Sequence, residues 1–229
     1  MPTQAQAQPE PEPEPEPEAE AEPEAEPSLV APSLARSPLH AVGADGVDRE
    51  RATAAVASLL SALGRDPRGP HLRDTPRRVV DAFVEMLTPR EFALTTFPND
   101  EGYNELVMVR DVPFHSLCEH HLLPFHGVAH IAYLPAEAIL GLSKLARVLE
   151  HFSRDLQVQE RLTQQVADLL QDRLAPRGVG VVLEADHMCM SLRGVQASGS
   201  RTVTSALHGV LRDDPRSRAE FFALAGLRP

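Results

Sequence analysis

The chain has no tryptophan, two cysteines and one lysine among its 229 residues. Each scarcity excludes something. With no Trp and aromatics at only 4%, the core must be built from Leu, Val, Ile, Ala and Phe. Two cysteines cannot make the disulfide framework of a small secreted scaffold; in a reducing compartment they serve as metal ligands or catalytic thiols. No apolar run approaches the length that spans a bilayer. The N-terminus has neither the basic nor the apolar region of a secretory signal. These features predict a cytoplasmic protein with no membrane partner. Lys144 is the single lysine; every other basic side chain is arginine. Against that bias, a lone ammonium marks a place where a compact, flexible cation is useful.

The formal charge of −11 misdescribes the folded part. Nine glutamates fall between Glu10 and Glu26, and setting them aside brings the charge to −2. A nearly neutral body does not repel an anionic substrate, and it lacks the polybasic character of a nucleic-acid binder. The Pro-Glu alternation from Pro9 to Glu18 cannot bury apolar surface and repels itself. Residues 1–45 are therefore expected to be a disordered acidic tail of polyproline-II character. Residues 46–229 are expected to form one folded domain, with a helical N-terminal part over 46–92 and a core over 93–229.

Within that domain, residues 47–63 predict a helix with Ala55, Leu59 and Leu63 as its inward stripe and Gly64 as its stop. Asp74-Thr75-Pro76 predicts a capped helix start. The helix should run to about Leu87, burying Val79, Phe83 and Met86 with Val80 and Leu87 beside them. Residues 106–113 and 127–134 alternate as strands. Residues 141–152 predict a helix facing in through Leu142, Leu145, Val148 and Leu149. A longer helix over 157–174 faces in through Leu162, Val166, Leu169, Leu170 and Leu174. Residues 178–190 and 201–211 read as strands, and Asp214-Pro215 opens a last helix. Strand pairs around a helix pair predict an α+β domain with an antiparallel sheet.

The two cysteines sit in unusual company. Phe114 to Phe125 contains Cys118-Glu119-His120-His121, and the second thiol lies in His187-Met188-Cys189-Met190. Thiolate and imidazole suit zinc or another borderline-soft ion. Cys118 and His121, three apart in a turn, can share one side. On a strand, His187 and Cys189 would share a face. Cys118, His121 and Cys189 are thus candidate ligands, with His120 and His187 beside the metal. Three protein ligands leave a position for water or substrate, as in a catalytic site; a closed structural site would recruit His187, His120, His115 or His126 as the fourth. Both arrangements fit the residues. There is no H-E-x-x-H and no P-C-x-x-C of nucleobase deaminases.

Other motifs surround this pair. Ser143 and Lys144 at a helix start, with Arg147 one turn on, could hold phosphate oxygens; an N-cap serine and two solvated cations is the plainer alternative. Arg193 and Arg201 follow Cys189. Glu160 is either a first-turn carboxylate or an acceptor for a pair of ring N–H groups.

Cys118-Glu119-His120-His121, residues 141–147 (Gly-Leu-Ser-Lys-Leu-Ala-Arg), residues 157–161 (Gln-Val-Gln-Glu-Arg), and His187-Met188-Cys189-Met190 with Arg193-Gly194-Val195 together resemble the GTP cyclohydrolase I family. The likeness runs in order from about Asp74 to the C-terminus. It implies the tunnelling fold, a homodecamer of two pentamers with sites at subunit interfaces, and Zn2+ as cofactor. The implied reaction takes GTP and water to formate and 7,8-dihydroneopterin triphosphate, the entry to tetrahydrofolate and other pterins. By position, Cys118, His121 and Cys189 resemble the zinc ligands, and His120 and His187 the proton-transfer histidines. Gln159 and Glu160 resemble the guanine anchors. Ser143, Lys144, Arg147, Arg193 and Arg78 resemble the triphosphate contacts, although Asp81 stands where some relatives carry a basic residue. The alternative is a purine- or pterin-binding protein of the same fold, with a structural zinc and no turnover.

Overall fold

A computed structural model describes residues 46–227. The acidic stretch over 1–45 lies outside the described residues. The described chain runs α1 (Arg49–Ala62), α2 (Thr75–Leu87), β1 (Thr96–Pro98), β2 (Val107–Cys118), β3 (Pro124–Leu134), β4 (Ala138–Leu140), α3 (Ser143–Ser153) and β5 (Leu156–Gln157). It continues through α4 (Gln159–Leu174), β6 (Gly178–His187), α5 (Met188–Ser191), β7 (Thr202–Gly209), α6 (Val210–Asp213) and α7 (Pro215–Leu224). Five strands form one sheet in the order β5-β2-β3-β6-β7. The long neighbours pair antiparallel, as expected. The two-residue β5 joins the edge of β2 in parallel. β1 and β4 make a separate antiparallel pair.

The sheet is covered on both faces, and alternation along its strands sorts the side chains between them. Val179, Val181, Leu183 and Ala185 of β6 enter the main core with Leu145, Val148, Leu149 and Phe152 of α3 and Leu162, Val166, Ala167, Leu170 and Leu174 of α4. The intervening Val182 turns to the other face, against Ala132, Leu211 and Phe221. Phe221 comes from α7, whose start is fixed by Asp214. The Asp214 carboxylate accepts from the backbone N–H groups of Arg216 and Ser217, satisfying donors that a helix start leaves open.

Four local expectations are corrected. The stripe Ala55, Leu59 and Leu63 faces out, with Leu59 57% and Leu63 67% exposed; the half-buried row is Ala52, Val56 and Leu60. Both rows have helical i, i+4 spacing, so the periodicity fits either and the packing on α2 decides. On α2 the buried residues are Pro76, Val80 and Val84; Val80 is buried as expected, whereas Val79, Phe83 and Met86 are only half-buried, so the face is centred one step round. Asp74 stands before that helix without a side-chain cap bond; its carboxylate meets Arg78 at 3.5 Å instead. Leu142, expected to face in, is exposed ahead of α3.

The pairing that matters most for the site is β3 with β6. Its register sets Phe125 opposite His187 and Gly127 opposite Ala185. At Gly127 the strands approach so closely that a Cβ would fall on the Glu184 carbonyl oxygen. Gly127→Ala should therefore lower stability by about 1–3 kcal/mol, the usual range for overpacking. Urea unfolding would show this as a lower midpoint, and an unchanged midpoint would contradict the packing described.

Candidate metal centre

β2 ends at Cys118, and the chain reverses through 119–123 into β3. The reversal is tightly bonded. Cys118 N–H donates to the Leu123 carbonyl, and the N–H groups of His121 and Leu122 donate back to the Cys118 carbonyl. Leu122 takes a left-handed conformation, φ 54°. Arg161, at the start of α4, braces the turn from outside. Its Nη2 donates to Glu119 Oε2 and to the Leu156 carbonyl, both at 2.6 Å, and its Nε donates to Gln157 Oε1 at 2.9 Å. Glu119 N–H donates to the Gln157 carbonyl.

The second thiol arrives differently from the expectation. β6 stops at His187, and Cys189 lies in the single helical turn α5. It is this turn, rather than strand alternation, that aims the Cys189 thiol at Cys118. The donor atoms of Cys118, His121 and Cys189 all lie within 4.8 Å of one another. Zinc–sulfur bonds of about 2.3 Å and zinc–nitrogen bonds of about 2.0–2.1 Å at tetrahedral angles place donors about 3.5–3.8 Å apart. The Cys118 Sγ to His121 Nδ1 distance is 3.8 Å. Two soft sulfurs and an imidazole at this spacing fit a borderline-soft cation. Burial raises the Cys189 thiol pKa, and the neighbouring Cys118 raises it further. A cation between the sulfurs would favour both thiolates and reverse that effect.

The neighbouring histidines differ. His120 Nδ1 is also 3.8 Å from Cys118 Sγ, but His120 is not among the three converging donors. Its ring is largely exposed, with Nε2 4.0 Å from Glu119 Oε1. His187 is half-buried and stacked flat on Phe125, centroids 4.5 Å apart and planes 3° apart. Its Nε2 meets Gln159 Oε1 at 2.8 Å. Burial lowers the His187 pKa, while the charges of Glu160 and Asp186 oppose the shift.

The remaining candidates are spread more widely. Glu160 is exposed in the first turn of α4, close enough for its charge to act on His187. Arg193 is exposed beyond α5, and its charge acts on Cys189. Ser143 is the first residue of α3 and exposed; Lys144 is half-buried, its N–H donating to the Gly141 carbonyl. Arg147 is tied to Glu150 at 3.1 Å. Arg78 lies exposed on α2, with Asp74 as its carboxylate partner. Asp81 is held by Arg49 and Arg77. Gln159 is only 1% exposed, and its amide is engaged by protein groups. Phe125, Gln157, Arg161, Thr163 and Thr204 also shape this region. Gln157 and Arg161 are a local i, i+4 pair within the 157–161 motif, whereas only strand register and helix packing bring Thr163 and Thr204 here.

The GTP cyclohydrolase I family profile matches residues 52–226. The chain belongs to the GTP cyclohydrolase I family. It is 51% identical over 187 residues to GTP cyclohydrolase 1 of a Synechococcus species, covering 80% of this chain and 82% of that protein. It is 50% identical over 178 residues to GTP cyclohydrolase 1 of Aquifex aeolicus, covering 78% and 97%. For the Carboxydothermus hydrogenoformans protein of that name the identity is 48% over 186 residues, covering 79% and 96%. The family expected from the motifs is thus the one found, and the match takes in α2 and all but the first three residues of α1.

The turn that carries Cys118 and His121 should depend on the brace that Arg161 gives it. Arg161→Met removes three donated hydrogen bonds and leaves Glu119 without its guanidinium. Metal affinity should fall about 10–100-fold, the usual effect of losing an outer-shell partner. Competition with a chromogenic chelator reads this directly; undiminished affinity would show that the brace does not support the ligands.

Proposed function

We propose that this chain hydrolyses and rearranges GTP to 7,8-dihydroneopterin triphosphate with release of formate, the reaction its family membership implies. The single observation that carries the reading is the meeting of Cys118, His121 and Cys189 beside a half-buried His187. Zinc is the cation that these donors suit best, and when bound it supplies Lewis acidity and lowers the pKa of water. Two thiolates reduce the net positive charge of such a centre, so imidazole must share the proton work. His187 and His120 are assigned that work, moving protons at the purine nitrogens and at water.

Glu160 is assigned the guanine edge. An exposed carboxylate can accept a pair of N–H bonds from guanine, and adenine would leave it unpaired, a discrimination on the order of 10⁴-fold at best. Ser143, Lys144, Arg147, Arg193 and Arg78 are assigned to the triphosphate. The Ser143 hydroxyl and the charge of the four cations give binding energy remote from C8 and orient the ring over the centre. The ion pairs of Arg147 and Arg78 would have to yield to phosphate oxygens. For the fold, the tunnelling topology is the finer reading of the antiparallel sheet with its helix pair. A homodecamer of two pentamers is the proposed assembly. The exposed Leu59 and Leu63 and the edge strand β7 support burial against further copies. No helix among the described residues is long and apolar enough to cross a membrane.

The direct test incubates the purified chain with GTP and follows formate and the fluorescence of the oxidised pterin. Turnover is expected, abolished by a chelator and restored by zinc; no formate under zinc-replete conditions would refute the activity. Two variants separate the roles. Cys189→Ser should lose bound metal and turnover together while the chain still folds. His187→Ala should keep its metal and lose about 10²–10⁴-fold in kcat. Full turnover in His187→Ala would remove that histidine from the proton path.

A further inference from the structure

The side chain of Gln159 has polarity that its surroundings leave no freedom to reverse. Its Nε2 lies 3.0 Å from the Leu183 carbonyl, 3.0 Å from the Thr202 carbonyl and 3.1 Å from Thr204 Oγ1. Carbonyl oxygens only accept, so the NH₂ end must face them. The threonine hydroxyls agree. Thr163 Oγ1 donates its one hydrogen to the Gln159 backbone carbonyl at 2.7 Å. Thr204 Oγ1, 2.6 Å from Thr163 Oγ1, must then donate to it, and so presents a lone pair to Gln159 Nε2. The bonds close a ring: Gln159 amide to Thr204, Thr204 to Thr163, Thr163 back to the Gln159 backbone. An amide rotated by half a turn would set its oxygen against the Leu183 and Thr202 carbonyls, leaving those two buried acceptors without its N–H groups.

With the NH₂ end fixed, Gln159 Oε1 is the atom facing His187 Nε2 at 2.8 Å. An amide oxygen cannot donate, so the hydrogen belongs to His187 Nε2. Phe125, stacked on the same ring, holds the imidazole plane. His187 Nδ1 makes no hydrogen bond to the protein among the described residues.

We infer that Gln159 is a positioning residue that locks neutral His187 as its Nε2–H tautomer, leaving Nδ1 as the ring nitrogen that exchanges protons with the substrate. This departs from the expectation that the Gln159 side chain meets the guanine edge, which would require its protein bonds to be surrendered. The inference rests on the proton-transfer role proposed for His187, but the tautomer itself can be observed without turnover. The pattern is that of an outer-shell partner selecting which imidazole nitrogen is available.

The test uses the zinc-loaded full chain carrying ¹⁵N-histidine, with the His187→Ala spectrum subtracted to assign the ring. In neutral to alkaline buffer, a pyridine-like Nδ1 resonance and a pyrrole-like Nε2 resonance are expected for His187. The reverse pattern in the wild-type chain would overturn the inference, and that measurement needs no further variant to fold. Gln159→Met keeps the volume and removes both the acceptor and the donors. It should lower kcat about 10–100-fold, leave KM and bound zinc unchanged, and blur the tautomer preference. A raised KM with unaltered kcat would place the amide on the substrate and overturn the assignment. The spectrum also separates this inference from the activity: Nε2–H without GTP turnover removes only the activity, whereas full turnover with Nδ1–H removes only the lock.

Discussion

The antiparallel pairing of β3 with β6 is the constraint on which the rest of the site depends. Cys118 closes β2, and the bonded turn after it delivers the chain into β3. His187 closes β6, and one turn of helix after it carries Cys189. Only when Phe125 lies opposite His187 do the two strand ends fall together and bring both thiols to one point. A slip of one residue would reverse the face of every side chain on β6. It would send His187 and the apolar row Val179, Val181, Leu183 and Ala185 away from the helix pair. Burying that row and bringing Cys118, His121 and Cys189 together are therefore satisfied by the same register. Gly127 permits it, because the β6 backbone occupies the space where a side chain would stand.

A second layer of constraint lies in the short segment from Gln157 to Arg161. Gln157 and Gln159 are both buried polar side chains, which a core tolerates only when their hydrogen bonds are made. Gln157 donates to the Phe152 carbonyl and Gln165 and accepts from Arg161, which in turn grips Glu119 in the turn after Cys118. Gln159 satisfies itself through β6 and β7 and ends on His187. One helix start thus serves both halves of the centre. Its outward residues brace the loop bearing Cys118 and His121, and its inward residue orients the histidine ahead of Cys189. Glu160 stays exposed between them.

Much of this was legible in the sequence where a signal is local. The apolar row of α3 from Leu145 onward, that of α4, the Asp214 cap and the alternation of β6 all follow from spacing and side-chain chemistry, and Cys118, His121 and Cys189 were identifiable as candidate donors by type. The misread features share one cause. Ala55, Leu59 and Leu63 repeat as regularly as the row that packs, and only α2 distinguishes them. The thiol of Cys189 looked like the next residue of a strand face, because nothing between His187 and Met190 marks the change to helix. Apart from these, the burial of Gln159 has no local signal: it and Glu160 are adjacent polar residues in a polar helix start, and one is buried whereas the other is exposed because β6 and β7 cover one side.

The amino-acid sequence by itself determined which chemistry the chain can perform: soft and imidazole donors, a carboxylate and a set of cations, on elements whose periodicity demands a covered sheet. Residue type is intrinsic, and local periodicity follows from backbone geometry within a few residues. The tertiary structure alone decided which donors meet and how they are oriented. Register, packing and hydrogen-bond polarity are relations between segments dozens of residues apart. The ring nitrogen that His187 leaves free is set by two threonines and two carbonyls that no spacing along the chain connects to it.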